Sequence, residues 1–148
     1  MIEIILYTDD YAEQLEELLK EFSTEIFGYG TADLDKFVNG HWVIYLAKKG
    51  DEVIGFSSFI YNTYYGLRPP TVGQTYLYVR PEHRRGRASY LLSKQAGFIS
   101  VDSGLPLENY YASEASKRIG NRMEGTLLYE AYLYEPSEVA KAYSKLKI

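Results

Sequence analysis

The sequence lacks several residue types, and each absence excludes a class of protein. There is no cysteine among the 148 residues, which excludes a disulfide framework, thiolate zinc sites and a thiol nucleophile. There are only two histidines, His41 and His83, so a histidine-rich metal site is not expected. The 16 basic residues are outnumbered by 20 acidic ones, and this balance argues against a general nucleic-acid-binding protein. We therefore predict neither a metal site nor a nucleic-acid partner.

Long apolar runs and the features of a secretion signal are also missing. No run approaches the ~20 residues that span a bilayer. The start of the chain has neither a basic segment nor a small-residue cleavage site, so it does not resemble a signal peptide. The sequence predicts a cytoplasmic protein without a membrane partner. Its length fits one domain, residues 1–148, which can bury a core without staples.

Apolar spacing and turn residues predict an alternation of strands and helices. Helices are predicted after caps at Asp9-Asp10 and Thr31, over Ala88–Val101, after Ser113, and from Glu135 onward. The predicted strands are Ile2–Leu6, His41–Ala47, Val53–Tyr61, Gln74–Val79, Leu105–Tyr111 and Thr126–Tyr134. Hairpin-linked strands come first and strand–helix alternation follows. This order predicts an α/β (α+β) chain with a mixed sheet and an additional C-terminal helix.

The segment from Tyr76 to Leu92 has the strongest chemical signal, because a strand, a basic turn and a helix start follow one another. The turn contains residues that are either cationic or small: Arg84, Arg85, Gly86, Arg87, Ala88 and Ser89. Unpaired N–H groups and the helix dipole favour an anion at a helix start, and small residues let a phosphate approach the backbone. The basic turn is therefore a candidate site for a phosphate or pyrophosphate. A solvated basic turn before an ordinary helix explains the same residues equally well.

The same segment carries a family resemblance. Val79-Arg-Pro-Glu-His-Arg84, followed by a Gly/Ala/Ser turn and Leu-Leu, resembles the acetyl-CoA-binding motif of the Gcn5-related N-acetyltransferases (GNAT superfamily). The predicted element order resembles that family from Ile2 to about Tyr134. The resemblance implies a largely antiparallel central sheet flanked by helices, and acetyl-CoA as the acyl donor. It also implies which residues hold acetyl-CoA: the strand residues Leu77, Tyr78 and Val79, the turn from Arg84 to Ser89, and the next helix start at Ser113 and Ser116. Capping explains Ser113 equally well.

The acid–base residues usual in that family are absent. Many members have a glutamate base about four residues before the position of Leu77, and here that residue is Gly73. The tyrosine that donates a proton in many members aligns with Gly120. Glu108, on the neighbouring predicted strand, is the candidate catalytic carboxylate, although a solvent-facing strand residue is the simpler expectation for it. Glu25 is a second candidate carboxylate, with a solvated helix charge as its simpler interpretation.

Tyrosine is the residue type in clear excess, with 16 copies against six phenylalanines and one tryptophan. A tyrosine ring combines a large apolar body with a polar tip, which suits a wet cleft or an interface. Tyr61, Tyr64 and Tyr65 lie in the predicted loop before the motif strand, and we predict that they bind the amine substrate. A contact between two copies of the chain, as in a homodimer, or packing within the loop explains them equally well. His41 is expected to be structural.

Together these features predict an N-acetyltransferase. It would move an acetyl group from acetyl-CoA to a primary amine of a small molecule or peptide, by direct attack without a covalent enzyme intermediate. The alternative is an acyl-CoA-binding module of the same fold that has lost catalysis. A nucleic-acid-binding protein that uses Arg80 and the basic turn is a third interpretation, disfavoured because the rest of the chain is acidic.

Overall fold

The structure is a computed structural model and describes residues 1–110 and 135–144. The elements within these residues are β1 (Ile2–Leu6), α1 (Ala12–Phe27), α2 (Leu34–Gly40), β2 (Val43–Lys49), β3 (Glu52–Asn62), β4 (Thr71–Val79), α3 (Ala88–Ser103), β5 (Leu107–Asn109) and α4 (Pro136–Tyr143). The helix predicted after Ser113 and the strand predicted over Thr126–Tyr134 lie outside the described residues. No helix in the described part is long and apolar enough to cross a membrane.

The strands form one mixed sheet in the order β1-β2-β3-β4-β5. The first four strands are antiparallel neighbours, and β5 is parallel to β4. This arrangement confirms the predicted fold class. In β4 the register shifts, since Ser58 pairs with Tyr76 while Phe59 pairs with Gln74. Thr75 is therefore an extra residue in β4, a bulge that changes which residues face each side of the sheet beyond it.

Helices cover both faces of the sheet. On one face, Leu15, Leu18 and Phe22 of α1 pack with Leu46 and Phe56 of the sheet, joined by partly buried residues of α2. On the other face, α3 contributes the buried residues Ala88, Leu92, Ala96 and Ile99. Each fully buried aliphatic or phenylalanine side chain contributes roughly 1.5–3 kcal/mol, so both layers fix the sheet that carries the site.

The ends of the first two helices differ from the predicted caps. Asp9 and Asp10 do not cap α1, because Asp9–Tyr11 forms a separate 3-10 turn ahead of it. The cap of α2 is Asp33 rather than Thr31: its side chain accepts a hydrogen bond of 3.1 Å from the Lys36 N–H. The spacing of apolar residues located both helices. It did not identify the N-cap residues, because more than one residue before each helix has a side-chain oxygen that could accept the capping hydrogen bond.

Helix α3 begins at the predicted residue, Ala88, and runs two residues beyond the predicted end at Val101. Gly104 closes the helix in the left-handed conformation, with φ of 70°. Leu92 and Ile99 are buried, whereas Phe98 is 49% exposed. Ile99 lies about 100° around the helix from Phe98, and it is Ile99 that packs into the core with Phe59 and Val72. The Lys94 ammonium lies 5.5 Å from the Phe98 ring.

Candidate functional site

Within the described residues, β5 pairs with β4 over three residues. Val72, Gly73 and Gln74 pair with Leu107, Glu108 and Asn109, respectively. The last link is a 3.4 Å hydrogen bond from the Tyr110 N–H to the Gln74 carbonyl. Beyond it, no strand among the described residues pairs with this edge of β4. We call this edge, from Thr75 to Val79, the β4–β5 opening.

The backbone of β4 decides which residues face the opening. The Arg80 N–H donates to the Ile54 carbonyl of β3 at 2.9 Å. Because the peptide groups of successive strand residues point to opposite edges, those of Leu77 and Val79 point into the opening, as predicted. Tyr78 does not: its peptide groups face β3, and its side chain is 5% exposed within the core. The structure thus brings two of the three predicted strand residues to the opening.

The basic turn leads into an uncapped helix start. Arg87 is the N-cap of α3 and makes no side-chain capping hydrogen bond, and the Leu91 N–H is bonded to the Arg87 carbonyl at 2.9 Å. The N–H groups of Ala88, Ser89 and Tyr90 precede the first complete turn, so they have no partner within the helix. Ala88 is fully buried as a residue, whereas Ser89 is partly exposed and Tyr90 is exposed.

The three arginines of the turn divide into two groups. The Arg84 guanidinium donates to Glu25 of α1 at 2.5 Å and to the Val79 carbonyl at 2.8 Å. Arg85 and Arg87 are exposed and have no carboxylate partner within the described residues. The hydrogen bond from Arg84 lowers the pKa of the Glu25 carboxyl. Glu25 is therefore the partner that ties the turn to α1, and the Arg84 side chain is directed to α1 rather than to a ligand.

Glu108 is buried, which corrects the expectation of a solvent-facing strand residue: it is 7% exposed. Its Oε1 accepts hydrogen bonds from the Tyr64 hydroxyl and from the Arg68 guanidinium. Its Oε2 accepts one from the Tyr110 hydroxyl at 3.1 Å. The Asn62 amide donates in turn to the Tyr110 oxygen at 3.1 Å. We call these five residues the Glu108 cluster.

The loop that supplies Tyr64 and Arg68 has an unusual backbone. Tyr64 and Tyr65 both have positive φ, 53° and 52°, a conformation that is costly for residues other than glycine. The Arg68 guanidinium lies 3.6 Å from the centre of the Tyr64 ring, and the Tyr64 hydroxyl also lies 3.2 Å from Thr71 Oγ1. These contacts hold Tyr64 in place, and strain of this kind is retained where the surroundings fix the conformation.

The same loop lines a groove of about 580 Å³, which we call the tyrosine groove. Its lining residues are Tyr61, Asn62, Thr63, Tyr64, Tyr65, Leu67 and Arg68. The three predicted tyrosines therefore meet, but they differ in role. Tyr65 is 99% exposed and Tyr61 is 47% exposed, whereas the Tyr64 hydroxyl is directed to Glu108.

Sequence reasoning missed three members of the Glu108 cluster: Asn62, Arg68 and Tyr110. Tyr110 had a usable signal, because residues two apart on a strand share a face. Asn62 and Arg68 had none, since they reach Glu108 only through the fold. His41 is structural, as predicted: its Nδ1–H donates to the Phe37 carbonyl at 2.7 Å. Ser113 and Ser116 lie outside the described residues.

Comparison with known proteins gives a fold but no close relative. No protein-family model matches the sequence, and no curated protein matches it. A ribosomal-protein-alanine N-acetyltransferase from Brucella melitensis biovar Abortus 2308 is 14% identical, with 90% of this chain and 98% of that chain covered and a TM-score of 0.71. An aminoglycoside N-acetyltransferase in complex with CoA is 14% identical, with 91% and 94% covered and a TM-score of 0.70.

A third solved structure has a similar fold. It is an aminoglycoside acetyltransferase from an uncultured soil metagenomic sample, in complex with sisomicin, and is 11% identical. The alignment covers 90% of this chain and 97% of that chain, with a TM-score of 0.69. The chain therefore has the fold of Gcn5-related N-acetyltransferases, as the resemblance in its sequence predicted.

Proposed function

We propose that this protein is an N-acetyltransferase that moves an acetyl group from acetyl-CoA to a primary amine. One observation supports this most strongly: the β4–β5 opening leads along Leu77 and Val79 directly to the uncapped start of α3, where Arg85 and Arg87 have no carboxylate partner in the part of the chain that the structure describes. The open strand edge and the helix start complement a ligand that has an extended, amide-containing arm with a pyrophosphate at its end. CoA is such a molecule, and it is bound in one of the solved structures of the same fold.

On the donor side, we assign partners in the chain to two parts of CoA, the pantetheine arm and the pyrophosphate. The peptide groups of Leu77 at the open strand edge would bond the pantetheine arm, as a neighbouring strand would. The N–H groups at the start of α3, with Arg85 and Arg87, would hold the pyrophosphate. Gly86 supports this assignment, because a Cβ there would meet only the His83 carbonyl at 3.4 Å and Ile2 Cδ1 at 4.0 Å. Packing does not require a glycine at this position, whereas close approach of a phosphate favours one.

The acetyl transfer would proceed by direct attack. The neutral amine nitrogen forms a bond to the thioester carbon, the C–S bond breaks, and the sulfur leaves as a thiolate that takes up a proton. A backbone N–H of the β4 edge would polarise the thioester carbonyl, and such preorganised donors supply much of the rate enhancement in acyl transfer. Glu108 is the proposed acceptor of the proton that the amine loses, with the tyrosine groove as the place of the amine.

A binding module without catalysis is the second candidate function. The hydrogen bonds of Glu108 favour this second function, because both carboxylate oxygens already accept hydrogen bonds within the Glu108 cluster. A carboxylate held only for structure would show the same contacts. On this alternative the chain would bind acetyl-CoA at the β4–β5 opening and transfer nothing.

Turnover measurements separate the two functions. Purified protein, acetyl-CoA and a panel of primary amines would be assayed for free thiol release. Acetyl transfer predicts CoA release that depends on the amine. Glu108→Gln should then lower kcat by no more than about 10²-fold, near the lower end of what a general base supplies. Glu82→Gln, an exposed carboxylate in the turn before α3, is the matched control and should keep full activity. Binding of acetyl-CoA without any amine-dependent release would support the binding module instead.

A further inference from the structure

Gly73 is a glycine because its side-chain space is occupied. Its φ is not positive, so its backbone does not require glycine. A Cβ at this position would lie 2.9 Å from Asn62 Nδ2, 2.9 Å from Tyr110 Cε2 and 3.1 Å from Ile60 Cγ1. The Tyr110 ring thus lies where a side chain of residue 73 would begin. Gly73 is paired with Glu108 on β5, so the ring and the carboxylate belong to one place in the sheet.

The hydrogen bonds of Tyr110 are ordered in one direction. The Asn62 amide donates to the Tyr110 oxygen, so the hydroxyl proton is directed to Glu108 Oε2 at 3.1 Å. Glu108 Oε1 already has two donors, Tyr64 and Arg68, whereas within the described residues Oε2 accepts from Tyr110 alone. A carboxylate offers about four lone-pair positions. Oε2 is therefore the oxygen that keeps a position for an incoming proton.

We infer that Tyr110 is a positioning residue. Its ring lies over Gly73, and its hydroxyl fixes Glu108 Oε2 as the proton acceptor beside the β4–β5 opening. This inference rests on the proposed acetyl transfer. An ammonium group gives one proton to Oε2, and the N–H electron pair stays on nitrogen. That pair forms the C–N bond to the acetyl carbon while the C–S pair leaves with sulfur. A second amine proton then neutralises the thiolate. Gly73 and Glu108 act as a pair. Because Gly73 of β4 has no side chain, the Tyr110 ring fits beside it and holds the Glu108 carboxylate of β5 in position.

Tyr110→Phe is the direct test, because it keeps the ring over Gly73 and removes only the hydroxyl. Amine acetylation is measured with both substrates varied. The loss of a hydrogen bond to a charged group corresponds to a change in rate of about 10- to 100-fold. We therefore expect kcat to fall by at least about 10-fold. The KM values for the amine and acetyl-CoA should stay within about two-fold, since positioning of a proton acceptor acts on the chemical step. Tyr29→Phe, on a 77% exposed tyrosine after α1, is the matched control and should behave as wild type.

A second pair of variants keeps the inference testable if Tyr110→Phe is unstable. Arg68→Met removes the cation on Oε1, and Arg68→Lys restores a charge there; kcat should fall in the first variant and recover in part in the second. Wild-type kcat in Tyr110→Phe, with the wild-type chain active, would overturn the inference and leave the proposed function standing. A parallel rise of both KM values with a loss of thermal stability would show a merely structural tyrosine and would also overturn it. A wild-type chain that acetylates no amine would contradict the proposed function itself and this inference with it.

Discussion

Replacing Gly73 by alanine tests whether the Tyr110 ring occupies the space beside β4. The new Cβ would lie 2.9 Å from two atoms, Asn62 Nδ2 and Tyr110 Cε2, and 3.1 Å from Ile60 Cγ1. Separations this short force the neighbours to move, and overpacking of a buried site costs typically about 1–3 kcal/mol. At about 2–4 °C per kcal/mol for a chain of this size, Tm should fall by roughly 2–12 °C. Thermal unfolding followed by circular dichroism measures the change.

Two further variants decide what causes that loss. Gly97→Ala is the control: Gly97 lies within α3 with nothing within 4 Å of a new Cβ, so alanine should stabilise by up to about 1 kcal/mol through helix propensity. In a Tyr110→Ala background the ring is gone, and Gly73→Ala should cost about 1 kcal/mol less than in the wild-type chain, a coupling of the size found for residues in contact. An identical cost in both backgrounds would refute the reasoning, because the ring would then not be what excludes the Cβ.

Two other predictions concern a close contact within the sheet and the pH dependence of the protein's stability. Gly55→Ala should cost more than about 3 kcal/mol, because its Cβ would lie 2.6 Å from the backbone carbonyl oxygen of Tyr78, which cannot rotate away as a side chain can. Urea denaturation measures the loss, and a cost under about 1 kcal/mol would contradict the close approach. Burial lowers the pKa of His41, so as the pH falls through the usual histidine value of about 6.5 the unfolded chain takes up a proton before the folded chain does. Stability should therefore decline between about pH 7 and 5, and His41→Gln should remove that part of the decline in the same measurement. An unchanged pH dependence would show that His41 is not its source.

The sequence predicts the order of elements at the proposed donor side because the signals for them are local. The strand end, the basic turn and the helix start follow one another within the chain from Tyr76 to Leu92. Alternation along a strand then assigns Leu77 and Val79 to one edge without any knowledge of the fold. The Arg84 side chain could not be assigned in this way, because Glu25, its partner, lies 59 residues earlier.

The environment of Glu108 could not be predicted for the same physical reason. Tyr64 and Arg68 are 44 and 40 residues away in sequence, and they reach the carboxylate only because β3 and β5 flank β4. From the sequence, a carboxylate among apolar and polar residues of a short strand is expected to be exposed to solvent. In the fold, hydrogen-bond donors surround the Glu108 carboxylate. At Gly73 the sequence lacks the carboxylate that is usual in the family it resembles, and the structure shows the occupied space that excludes a side chain there.

Binding of acetyl-CoA to the basic turn tests the central claim most directly. With a dissociation constant of about 10 μM, ligand at about 1 mM would stabilise the folded chain by roughly 2.7 kcal/mol, which corresponds to a Tm rise of roughly 5–10 °C. The double variant Arg85→Glu/Arg87→Glu should lose most of that rise and keep its fold, because both side chains are exposed. Lys36→Glu, a charge reversal on α2 at a side chain 88% exposed, should keep the full rise. A wild-type chain whose Tm does not respond to acetyl-CoA but rises with an oligonucleotide would contradict the account.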